Sequence, residues 1–143
     1  MLLYRIGNKF NTYNIPFLPL VFDGLIRLIH NCAIYCETNI GEGTVFGYGG
    51  IGVVVHKRSI IGKNCMIGSN VTIGGRSKSS NVPVIGDNVY IATGAKILGD
   101  IKVGNNSVIG ANAVVISDVP ENSVVAGIPA RVIRNNIDIN DFK

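Results

Sequence analysis

From Ile85 to Pro120 the apolar positions recur every six residues, in the hexads IGDNVY, IATGAK, ILGDIK, VGNNSV, IGANAV and VISDVP. Each hexad opens with Ile or Val, and four positions on carries a small or β-branched residue: Val89, Ala95, Ile101, Ser107, Ala113 and Val119. Two inward positions in six match neither a helix of period 3.6 nor a strand of period two. The pattern predicts three short strands per eighteen-residue coil, stacked as a parallel β-helix. The opening aliphatic fills the prism, and Gly, Asn and Asp supply the positive φ of its corners.

The same rhythm extends upstream in IYCETN, IGEGTV, VHKRSI, IGKNCM, IGSNVT and IGGRSK. It breaks twice. Between Phe46 and Val55 the spacing is nine residues, and SSNVPV before Ile85 lacks an aliphatic opener, so a protruding loop is expected at about 74–82. Ahead of the repeat, Leu18, Val21, Phe22, Leu25, Ile26, Leu28 and Ile29 recur near 3.6 and predict a short amphipathic helix after Pro16 that caps the solenoid. The expected layout is an N-terminal segment over 1–33, the β-helix over 34–134 and a tail over 135–143 that frays at its end.

Composition narrows the classes. At 143 residues, 47% hydrophobic and 15% charged, the chain suffices for one core, and its 18 glycines fit solenoid corners without a collagen period. The net charge of +4 is scattered and aromatics are 7% without Trp, which argues against a nucleic-acid surface. The apolar run near the N-terminus is broken by Pro16, Pro19, Asp23 and Arg27, so neither a signal peptide nor a membrane span is expected. Cys65 falls at a core position, Cys32 and Cys36 are too few for zinc, and no disulfide framework is discernible. A cytoplasmic protein is the expectation. With only His30 and His56, a three-histidine metal site fails on counting.

Stacking residues eighteen apart yields a column of His56, Gly74, Ala92 and Gly110, a groove about 14 Å long at 4.8 Å per step. His56, beside both interruptions, is the candidate general base. A solvated corner imidazole is the plainer reading of the same residue.

The hexads, YGGIGVVVH, VTIGGR, IATGAKILGDIKVG and the closing AGIPARVI resemble the hexapeptide-repeat acyltransferases, in the serine acetyltransferase-like branch that includes sugar and polysaccharide O-acetyltransferases. The likeness covers about 34–134. It implies an all-β fold, a left-handed parallel β-helix, whose hand opposes the usual crossover rule. It also implies a homotrimer with sites between subunits and acetyl-CoA as donor. On the matching positions, His56 is the base, Gly74–Gly75 the oxyanion region, Ala92 and Ala111 the path of the pantetheine arm, and Arg131 and Arg134 the partners of the nucleotide phosphates. Tyr48 is the candidate residue for binding the acceptor. No metal is implied. The resemblance also carries a departure: serine acetyltransferases hold histidines in segments aligned with Tyr48–Gly49 and Val82–Pro83, and this chain has none there. The expected acceptor is therefore a sugar hydroxyl of a surface polysaccharide precursor. Serine O-acetylation, as in cysteine biosynthesis, and a non-catalytic assembly β-helix are the alternatives.

Overall fold

Within the coil each strand pairs with the one three places before it, and that rule builds three parallel sheets around a prism. The structure, a computed structural model, describes residues 2–77 and 79–142. The first coil holds β1 (Asn39–Ile40), β2 (Val45–Phe46) and β3 (Val54–Val55); the second β4 (Ile60–Ile61), β5 (Met66–Ile67) and β6 (Thr72–Gly74). Next come β7 (Val84–Ile85), β8 (Tyr90–Ile91) and β9 (Lys96–Leu98), then β10 (Lys102–Val103), β11 (Val108–Ile109) and β12 (Val114–Val115). The sheets run β1-β4-β7-β10, β2-β5-β8-β11 and β3-β6-β9-β12. A last hairpin, β13 (Ser123–Gly127) and antiparallel β14 (Ala130–Asn135), extends the second sheet.

The opening aliphatics Ile61, Ile67, Ile73, Ile85, Ile91, Ile97 and Ile109 are all within 1% of complete burial, so the hexad's first position fills the interior. Two residues earlier lie Val53, Ser59, Cys65, Val71, Val89, Ala95, Ser107 and Ala113, buried too. Corners turn through left-handed asparagines such as Asn88 and Asn106, with φ of 56° and 55°. Their amides reach down one coil, Asn88 to the Lys63 carbonyl and Asn106 to that of Asp87, which satisfies backbone groups a tight corner would otherwise strand.

Two helices close the first coil, where one was expected. α2 (Leu18–His30) follows Pro16 as the periodicity requires, and Ile26 is fully buried against the core. α1 (Leu2–Thr12) is the addition, and its polar residues explain its place. Tyr4 Oη donates to the Thr38 carbonyl, Arg5 to those of Ile40 and Gly41 at 2.7 Å each, and Asn8 to that of Cys36 at 2.8 Å. These side chains occupy the open edge of the first coil. The tail does not simply fray: the Ile137 amide donates to the Asn122 carbonyl, and Asp138 caps a 3-10 turn at Ile139–Asp141. The last residue of the expected frayed end, Lys143, lies outside the described residues.

The loop after β6 changes the register. Val55 pairs with Ile73, eighteen residues on, but Ile73 pairs with Ile97, twenty-four on. The segment from Gly75 to Pro83 thus carries six residues beyond a plain connection, one third of a coil. The hexad phase survives while every later hexad moves round by one face.

Candidate functional site

That shift separates residues the sequence placed together. His56 lies one step from Gly74, its amide donating to the Ile73 carbonyl at 2.8 Å, and Gly74 pairs with Leu98, not with Ala92. Ala92 belongs to another edge of the prism: the Gly68 amide donates to Ile91, that of Ala92 to Ile109, and that of Gly110 to Val125. The expected groove through His56, Gly74, Ala92 and Gly110 is therefore two half-grooves on different edges. Its cause is the six-residue insertion, which the unbroken hexad phase conceals.

One edge, between the third and first sheets, carries His56, Gly74 and the loop. A cavity of about 480 Å³ opens there, lined by Tyr35, Val54, His56, Lys57, Ile73 and Gly74. Its size falls in the ordinary range for small-molecule sites, roughly 300–1,000 Å³. The imidazole is half-buried, and its Nδ1 accepts from the Arg58 amide at 3.2 Å. Lys57 pairs with Glu37 at 3.3 Å, so Glu37 is engaged beside His56 without orienting it. Gly75 sits at the loop base against Val82 and the Asn81 carbonyl, and Asn81 Nδ2 donates to Asp100 Oδ2 at 2.8 Å across the loop mouth.

The second edge, between the second and third sheets, is a column of small residues: Gly68, Ala92, Gly110 and Ala126. A Cβ added at Gly110 would stand 3.0 Å from that of Ala126, so the column is tightly stacked. Ala111 is exposed beside it. Arg131 pairs in register with Ala126 at the head of the column, its Nη1 held 3.0 Å from the Ala130 carbonyl, and Arg134 pairs with Val124. At the foot, Tyr48 stands 83% exposed on a left-handed turn, φ 52°, that continues through Gly49 and Gly50. The nine-residue spacing from Phe46 to Val55 is this turn.

Tyr35, Lys57 and Asp100 went unnoticed in the sequence. Tyr35 is the second residue of IYCETN and Lys57 the third of VHKRSI, positions the repeat does not single out, and Asp100 matters only through the loop fold that Asn81 makes. Cys32, Cys36 and Cys65 are buried, as expected for Cys65. Burial pushes the Cys36 thiol up to about 12, with Asp23 adding to it, so Cys36 carries no nucleophile's chemistry at neutral pH. No helix among the described residues is long and apolar enough to cross a membrane.

The family described as bacterial transferase hexapeptide (six repeats) matches residues 83–117. A serine acetyltransferase of Synechococcus elongatus is 37% identical over 135 residues, 93% of this chain and 55% of that protein. That of Helicobacter pylori is 36% identical over 135 residues, 93% of this chain and 78% of its own length. A solved serine acetyltransferase in complex with CoA superposes with a TM-score of 0.82 at 37% identity, over 92% of this chain and 54% of that one. The chain thus spans about half the length of most curated relatives it matches. These likenesses overturn the expected sugar acceptor and its place in polysaccharide synthesis, because relatives aligned over nine-tenths of the chain are serine acetyltransferases. The histidines absent at Tyr48–Gly49 and Val82–Pro83 are two positions against a match over 93% of the chain.

Proposed function

The chain belongs to the serine acetyltransferase family, and on that footing we propose that it transfers the acetyl group of acetyl-CoA to the hydroxyl of serine. The observation that carries this reading is the likeness to serine acetyltransferases over 93% of the chain. In the reaction the serine oxygen bonds to the thioester carbonyl carbon, the carbon–sulfur bond breaks, and the hydroxyl proton ends on the departing thiol. The products are O-acetylserine and CoA.

The cavity beside His56 is the acceptor end of the site, with the loop base at Gly74 and Gly75 at its rim. The column of Gly68, Ala92 and Gly110, with Ala111 beside it, is the track for the pantetheine arm, since residues without bulk let a slender chain lie against the backbone. Arg131 and Arg134, exposed on β14 at the head of that track, are the partners for the nucleotide phosphates, which a guanidinium meets with charge-assisted hydrogen bonds. Tyr48 stands at the other end.

Two edges of one prism cannot face one another, so the donor track of one copy must meet the acceptor cavity of another. A homotrimer closed about a threefold axis does this. The partly exposed Val54, Ile60 and Val84 on the outer faces support it, as apolar area left for neighbours to cover. The left-handed coil that the resemblance implies belongs to the same proposal. The test is serine-dependent release of thiol from acetyl-CoA, with O-acetylserine identified as the product.

A further inference from the structure

We infer that His56 acts through Nε2–H as a hydrogen-bond donor to the acetyl oxygen, and that it is not the base that takes the serine proton. The inference rests on the serine acetyltransferase reading and goes beyond it in fixing which nitrogen carries hydrogen. A backbone amide can only donate, and that of Arg58 points at His56 Nδ1 from 3.2 Å. Nδ1 is therefore the lone-pair nitrogen, and in the neutral ring the hydrogen sits on Nε2. To serve as a base toward the cavity the ring would need the opposite arrangement, which sets Nδ1–H against the Arg58 N–H. Two donors would face each other with no acceptor between them.

Among the described residues no other hydrogen bond to the ring favours the opposite tautomer. Lys57 and Arg58 stand on the same turn as His56, and Glu37 from the segment before β1 reaches Lys57. Glu37 is engaged by Lys57, and no carboxylate bonds the imidazole among the described residues. The turn is fixed at both ends, by the His56 amide on Ile73 at 2.8 Å and the Ser59 amide on the His56 carbonyl at 2.9 Å. The root of the ring and its Arg58 partner thus move together. Val54 and Ile73 make the cavity wall largely apolar, and Lys57 is drawn off to Glu37. A single neutral N–H in apolar surroundings suits a carbonyl oxygen that becomes negative as the hydroxyl adds, because such a donor strengthens most where charge develops.

The experiment combines a spectrum with kinetics. Nitrogen-15 correlation spectra of the imidazoles, assigned with His56→Gln since His30 is the other histidine, report the tautomer directly. Nε2–H in the neutral ring is expected, and Nδ1–H overturns the inference. In turnover, His56→Ala should lose about 10²- to 10³-fold in kcat, the usual effect of removing one oxyanion donor. His56→Gln, whose amide nitrogen can stand where Nε2 stood, should recover to within roughly ten-fold of the wild type, keep the KM for serine and keep the acid limb of the pH profile. A Gln variant as slow as Ala, or one that loses the acid limb, makes His56 the base and overturns the inference. If the wild type does not acetylate serine at all, the serine reading fails by itself, and the spectrum alone decides whether His56 is a donor.

Discussion

Asn81 and Asp100 are nineteen residues apart in the chain and 2.8 Å apart in space, amide to carboxylate, across the mouth of the long connection between β6 and β7. Gly99 lies under Arg76 on the same side, and its amide donates to the Gly74 carbonyl at 3.0 Å. Together these contacts fasten the loop over the edge that carries His56.

Opening that clasp should impair catalysis more than stability. An exposed hydrogen bond of this kind contributes about 1 kcal/mol or less to folding. A small misplacement of site groups can cost up to about 10²-fold in rate. Asn81→Ala and Asp100→Ala should each lower kcat/KM by roughly ten-fold or more, and the double variant should fall little further, because both remove the same contact. Fully additive losses would show that the two residues act separately.

Glycines in the two helices should respond in opposite ways to a methyl group. At Gly7 a Cβ would run into Cys36 Sγ and stand 2.8 Å from Phe22 Cβ, so Gly7→Ala should cost about 1–3 kcal/mol through overpacking. At Gly24 nothing lies within 4 Å, and Gly24→Ala should stabilise α2 by up to about 1 kcal/mol from helix propensity alone. Thermal unfolding of the two variants, one below and one above the wild type, checks both.

Stability should fall at high pH. Burial pushes the Tyr4 hydroxyl up to about 12 against the opposing Arg5 guanidinium, and the Cys36 thiol up to about 12. In the unfolded chain these groups ionise near their ordinary values, about 10 and about 8.5. Their contribution is therefore complete below about pH 8.5 and is lost as pH rises from there toward 12, because the unfolded chain gives up its protons first. Melting temperatures from pH 8 to 11 should decline, and more gently in Tyr4→Phe above pH 10. An unchanged slope in that variant would remove Tyr4 from the account.

Assembly is open to a direct measurement. Sedimentation equilibrium should return about three times the 15.2 kDa of the chain. A monomer that still turns over would mean the two edges work without a second copy.

The solenoid was legible because its rule is local: one aliphatic in six, as at Ile85, Ile91 and Ile97, already commits each residue to the interior. α2 was legible for the same reason. α1 was not, since LLYRIGNKFNT holds its place with Tyr4, Arg5 and Asn8 on carbonyls some thirty residues away, and no local period encodes such contacts. The site was half legible. His56, Gly74 and the loop were found as neighbours, but the column onward to Ala92 was misplaced because an insertion of one hexad's length leaves the phase intact and moves the face. The acceptor was misread for another reason: the likeness to the serine acetyltransferase-like branch was legible over about 34–134, but two absent histidines turned the choice from serine to a sugar.

The measurement that bears most directly on the central claim is thiol release from acetyl-CoA with serine, set against a panel of sugars and a blank without acceptor. Release that depends on serine, saturates, and yields O-acetylserine by mass is the predicted result. Release that depends on a sugar while serine stays at the level of the blank would contradict it.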